Sequence, residues 1–153
     1  ANILDIGSGV GVNDLLLSMY LPNATFTLAD MHEWSQLGAH SRDYMNGYNE
    51  EYIFYNCWDV FEDAVKTTGL NRERFTLIDP SNEWGKYDII LSTWSYSWHY
   101  PLDTYWEKTL QALKPGGYLM LDMAREEDVE LITQTLGFKP RSYKKRYIWR
   151  KNA

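Results

Sequence analysis

The chain predicts a doubly wound α/β fold on a mostly parallel, seven-stranded sheet with a C-terminal antiparallel hairpin. Three observations predict it. Short apolar runs alternate with segments of helical period along most of the chain. A glycine-dense turn follows the first run directly, and the last, basic stretch reads as two short strands. The length of 153 residues fits one domain, 1–153, and 44% hydrophobic with 16% aromatic residues supplies a core. Disordered, collagen-like and low-complexity classes are excluded.

Residues 2–6 form an apolar run short enough for a buried strand. Residues 13–21 keep a helical period until Pro22, which cannot continue a helix. Residues 25–30 are rich in β-branched and aromatic side chains and read as the second strand. Residues 31–57 hold no sustained period; a stretch this long between regular elements is expected to be an insertion or lid, with a short helix over 33–44. Asp59 and Glu62 stand as a capping box, and Phe61, Ala64, Val65 and Thr68 share a helical face before Gly69. Residues 75–79 and 87–92 are the next strands. A helix over 102–113 turns Leu102, Trp106, Leu110 and Leu113 inward and stops at Lys114, Pro115 and Gly116. Residues 117–122 are a strand. Residues 126–136 begin acidic and end at Gly137, as a helix dipole favours, and 138–150 make the hairpin.

The net charge of −6 argues against indiscriminate binding to nucleic acid. Seven basic and no acidic residues lie between 139 and 151, so the rest of the chain carries −13. Lysines and arginines there suit an edge strand, since charge on an edge discourages pairing with another sheet; a docking patch for an anionic substrate or RNA is the alternative. No apolar run approaches the roughly 20 residues of a membrane span. A lone cysteine, Cys57, cannot form an internal disulfide, which makes a cytoplasmic setting the expectation.

Chemistry concentrates at ILDIGSGVGV, residues 3–12, where Asp5 ends the first strand and Gly7, Gly9 and Gly11 follow at every second position. Backbone without Cβ atoms beside a helix amino terminus can approach a polar or anionic ligand closely. Val12 stands where the nicotinamide-dinucleotide pattern G-x-G-x-x-G needs its third glycine, which weakens that reading. The motif resembles that of the class I S-adenosylmethionine-dependent methyltransferases, a hydrophobic strand followed by D-x-G-x-G-x-G. The resemblance implies a Rossmann-like sheet, S-adenosyl-L-methionine as cofactor and S-adenosyl-L-homocysteine as product. It implies that Asp5, Gly7, Gly9 and Gly11 wrap the methionine part and that Asp30, ending the second strand, holds both ribose hydroxyls. Asp79, ending the third strand, would reach the adenine amino group, with Ser92 at the end of the fourth. The runs 87–91 and 113–117 look like the family's fourth-strand and L-K-P-G-G landmarks. Residues 52–57 with Asp59 offer a second candidate for the third strand and its acid. Accepting them leaves 75–79 as one strand too many, so Asp79 is preferred, although Pro80 next to it offers no backbone N–H.

The acceptor pocket should adjoin the fourth strand's end, where four aromatics and a histidine fall within residues 92–101. Such a wall suits a ring or sugar face. His99 is the candidate general base, against the alternative of a packing or capping histidine. Tyr96, Trp98 and Tyr100 are the candidate acceptor contacts, against core and rim packing. Amino-group methylation of DNA bases is argued down by the lack of an [ND]-P-P-[YF] run there, and protein arginine methylation by the lack of a glutamate pair. A metal is not expected: Asp122 alone does not make a magnesium site, and His32, His40 and His99 are too dispersed for zinc. The 92–101 run, with Tyr55 and Asn56, is similar to sugar O-methyltransferases of bacterial surface-polysaccharide pathways, which implies a small-molecule hydroxyl acceptor. Little chain precedes the first strand, so the helices that roof the cofactor in that family are missing from this stretch. Either the chain is a fragment or residues 31–57 serve instead. A non-catalytic domain binding a nucleotide-like ligand or a partner protein stays open, as does a homodimer.

Overall fold

The structure is a computed structural model that describes residues 1–30, 58–98 and 101–153. Seven strands lie in one sheet in the order β3-β2-β1-β4-β5-β7-β6. They are β1 (Asn2–Ile6), β2 (Thr25–Ala29), β3 (Phe75–Ile78), β4 (Tyr87–Ser92), β5 (Leu113–Asp122), β6 (Arg141–Tyr143) and β7 (Arg146–Arg150). The helices are α1 (Val12–Tyr20), α2 (Trp58–Thr68), α3 (Trp106–Ala112) and α4 (Glu126–Leu136). The first five strands are parallel, and β7 runs antiparallel to both β5 and β6.

Alternation along the strands divides the core between the two faces of the sheet. Ile3, Phe26, Leu28, Phe75 and Leu91 pack with Leu15 of α1 and Phe61 and Val65 of α2. Leu4, Ile6, Ile90, Leu119 and Leu121 pack on the other face with Ala112 of α3, Ile132 and Leu136 of α4, and Trp149. Phe75 stacks on Phe26 and meets Phe61 edge-on, and burying each such ring contributes about 2–3 kcal/mol. The winding reverses between β1 and β4, so the crevice beyond their carboxyl ends is the switch point where ligands of such sheets bind.

Three sequence expectations need correction. Asp59 lies inside the first turn of α2 rather than capping it, and Glu62 reaches Arg72 instead, with Nε···Oε contacts of 2.7 and 2.9 Å. Residues 102–113 do not form one helix. Leu102–Thr104 is a 3-10 turn, Tyr105 breaks it, and α3 follows. Tyr105 leaves the helical region at φ −130°, ψ 9°, and the Tyr96 hydroxyl ties the turn before it by donating to the Leu102 carbonyl at 2.5 Å. Finally, β5 begins at Leu113 and carries the Lys114-Pro115-Gly116-Gly117 run, with a register shift opposite Tyr87 and Ile89 on β4. A Cβ on Gly117 would meet the carbonyls of Asp88 and Lys114 at 2.9 Å, which explains glycine in that run. The insertion and its helix at 33–44, and the alternative third strand at 52–57, lie outside the described residues. The place beside β2 is filled by β3, which Asp79 follows.

Candidate active site

Acids gather at the carboxyl ends of the first three strands. Asp5 lies in β1, Asp30 directly follows β2 and Asp79 directly follows β3. Asp30 Oδ2 accepts the Gly9 N–H at 2.6 Å, which ties the glycine turn to the end of β2. Asp79 Oδ1 accepts from the backbone N–H and the hydroxyl of Ser81, at 2.8 and 2.6 Å, and its own N–H donates to Asn82 Oδ1. Lys108 Nζ clamps that loop by donating to the carbonyls of Pro80 and Asn82, both at 2.7 Å. Burial pushes the Tyr105 hydroxyl up, and the charges of Asp79 and Asp30 push it further.

The three glycines of the turn have different surroundings. Gly7, Gly9 and Gly11 all have φ between +57° and +72°, a region costly for other residues. A Cβ at Gly7 would stand 1.8 Å from Ser95 Oγ, so Ser95 fills that place. At Gly11 it would strike Leu28 and Phe61 at 2.7 Å, a packing constraint between α1, β2 and α2. At Gly9 it would meet nothing within 4 Å among the described residues, and this is the bare backbone a ligand could approach.

The loop after β4 closes the opposite side. Ser92 Oγ donates to the Ile6 carbonyl at 2.6 Å and accepts the Tyr96 N–H at 2.9 Å, binding the ends of β1 and β4 together. Trp94 and Ser97 hold left-handed backbone, φ 54° and 61°, an arrangement that concentrates at functional sites. Trp94 is 54% exposed and stands edge-on to Trp98 with ring centroids 4.5 Å apart. Tyr96, expected beside the acceptor, is fully buried; its hydroxyl is taken by Leu102 and its ring packs on Tyr105. As placed it is a core residue. His99 and Tyr100 lie outside the described residues.

Sequence reading missed Asp14, Ser95 and Tyr105. Asp14 is fully buried on α1, and burial pushes its carboxyl up to about 7, while Asp5 is raised by burial and by the charges of Asp14 and Asp30. An acid at the start of a helix reads as an ordinary dipole partner, so only the fold shows it facing another acid. Asp122 accepts Arg146 Nε at 2.8 Å and the neighbouring guanidinium nitrogen at 2.9 Å. No group of three potential metal ligands occurs among the described residues, and no described helix is long and apolar enough to cross a membrane.

No protein-family profile matches the chain, and no curated protein matches it in sequence. Solved structures do. The chain is similar to StiE O-MT, at 18% identity and TM-score 0.60, covering 88% of this chain and 45% of that one. It is similar to a methyltransferase from Pyrococcus furiosus, again at 18% identity and TM-score 0.60, covering 99% and 75%. Coclaurine N-methyltransferase bound to N-methylheliamine and SAH matches at 17% identity and TM-score 0.54, over 80% of this chain and 30% of that one. The chain thus has the Rossmann-like fold of these methyltransferases and spans under half the length of the first of them.

Proposed function

We propose that the chain is a class I methyltransferase domain that moves a methyl group from S-adenosyl-L-methionine to a hydroxyl of a small-molecule acceptor, sugar-like or phenolic. The observation that carries this reading is the pairing of Gly9 and Asp30 at the switch point. Open backbone and a strand-end carboxylate stand side by side there, in a sheet shared with solved methyltransferases. The cofactor supplies a methyl on a sulfonium, an electrophile ready for in-line displacement.

Asp30 holds the ribose diol from the end of β2, where its carboxylate stands beside the glycine turn. Asp79 faces the adenine side, and its Ser81 and Lys108 supports fix the loop that carries it. Gly7, Gly9 and Gly11 shape the turn around the methionine part, and Ser92 acts by fixing the loop after β4. Trp94 and Trp98 offer an aromatic wall for the acceptor. Transfer to a hydroxyl releases a proton, which His99 takes as general base. A net charge of −6 favours a small acceptor over nucleic acid.

The test is transfer from methyl-labelled cofactor to a panel of sugars and phenols. Label on a hydroxyl, reduced about a hundredfold or more by His99→Ala, is the expected result. Label found only on amines would contradict the acceptor class. Binding of nicotinamide dinucleotide in place of the cofactor would contradict the reaction.

A further inference from the structure

Trp94 combines left-handed backbone, φ 54°, with a side chain that is 54% exposed. A bulky residue at positive φ is strained, and such a conformation persists only where its surroundings over-determine it. The residues on either side supply that constraint. Thr93 Oγ1 accepts a hydrogen bond from Asn13 Nδ2, on the first turn of α1, at 2.9 Å. Ser95 fills the space that a Cβ on Gly7 would need, and its carbonyl accepts the Trp98 N–H at 3.0 Å. That turn carries Trp98 back against Trp94, edge-on.

The loop's other residues are anchored inward. Ser92 donates to the Ile6 carbonyl, Tyr96 and Ser97 are buried, and Ser97 Oγ lies 3.2 Å from Met123 Sδ. The loop thus meets the glycine turn at both ends: at Ile6 and Gly7 where the turn begins, and at Asn13 where α1 leaves it. Ile6 engages through its carbonyl and Gly7 through the lack of a side chain, whereas Asn13 uses its amide across 80 residues of sequence. Asn13 does not cap α1, whose N-cap is Gly11.

We propose that Asn13 is a positioning residue that, through Thr93, holds Trp94 in register with the glycine turn, so that the acceptor wall keeps a fixed place relative to the cofactor. The fastening is a property of the free chain. Its effect on the acceptor rests on the methyltransferase reading, because in-line displacement tolerates little misplacement of the attacking oxygen. A hydrogen bond between exposed groups adds little to folding, since water replaces it, and alanine suits a helix better than asparagine. Asn13→Ala should therefore keep the fold while freeing the loop.

NMR relaxation of the tryptophan indole N–H groups reads the fastening, with the Trp94 signal identified by its loss in Trp94→Phe. In the parent the Trp94 indole should be as rigid as the strands. In Asn13→Ala and in Thr93→Val it should become mobile to the same extent, and the double variant should add nothing further. Thr93→Ser keeps the hydroxyl and should behave as the parent, and Thr93→Val serves where Asn13→Ala fails to fold. A mobile Trp94 in the parent, or an indole unchanged in both single variants, overturns the fastening. Transfer of labelled methyl to phenol and to methyl glucoside reads the consequence. Asn13→Ala should raise the acceptor KM several-fold while S-adenosylhomocysteine affinity stays within about twofold of the parent, a split that general loosening of the fold would not produce. An unchanged acceptor KM, or label on neither probe in a parent that binds S-adenosylhomocysteine, overturns the acceptor part alone. No binding of S-adenosylhomocysteine by a parent with a rigid Trp94 overturns the methyltransferase reading and the acceptor part with it, while the fastening stands.

Discussion

A Cβ on Gly7 would collide with Ser95 and one on Gly11 with Leu28 and Phe61, whereas one on Gly9 would meet none of the described residues, so the three alanine substitutions should part company. Each pays about 1 kcal/mol for left-handed backbone. Gly7→Ala and Gly11→Ala should lose a further 1–3 kcal/mol or so to overpacking. Gly9→Ala should fold nearly as well as the parent yet lose S-adenosylhomocysteine binding. Melting curves beside calorimetric titrations check this, and adding Ser95→Gly to Gly7→Ala should restore much of its stability. Equal melting losses in all three would contradict the separate roles. The spacing of Asp5, the glycines and Asp30 was legible because local turn chemistry sets it. Ser95's claim on Gly7 was not, because it depends on how the loop after β4 returns across the end of β1, and sequence distance hides that contact.

Helix α1 shows how elements borrow from one another. It has no basic residue in its last turn, and Arg74, ahead of β3, serves in that place. Its guanidinium donates to the carbonyls of Ser18, Leu21 and Ala24 while lying over the rings of Phe26 and Phe75. Arg74→Ala should therefore destabilise the chain by about 1.5–3 kcal/mol, and Arg74→Lys should recover only part, since an ammonium lacks the planar fork. Denaturant midpoints decide it; an unchanged midpoint would show that water caps α1 equally well. Strand positions were readable from β-branched and apolar runs, and α4 was bounded correctly from its acidic start and Gly137. The inward face of α1 was not: Asp14, Leu15 and Ser18 are buried while Leu16, Met19 and Tyr20 are exposed, against the hydrophobic order. The break at Tyr105 was equally hidden, because the apolar period of residues 102–113 runs through it without a proline or glycine.

At the scale of the molecule, the sheet order puts Asp5, Asp30, Asp79 and the loop after β4 along one edge although they are scattered through the chain. Alternation of strand and helix made the parallel, doubly wound sheet legible, since parallel crossovers leave few ways to wind. The basic end of the chain behaves as the edge it was read to be. Arg141–Tyr143 lies exposed at the sheet's margin, while Arg146 is neutralised by Asp122 and Lys151 donates to the carbonyls of Leu110 and Leu113. The acceptor was the least legible part, because selectivity rests on side chains that converge from loops rather than on any periodic element. The cofactor site is the premise on which every functional statement here depends, and calorimetric titration with S-adenosylhomocysteine tests it most directly, run on the parent and on Asp30→Ala. Binding by the parent, weakened at least tenfold in the variant by loss of a charged hydrogen-bond acceptor worth about 1.5–3 kcal/mol, is the predicted result. Equal binding by both proteins, or no binding by the folded parent, would contradict it.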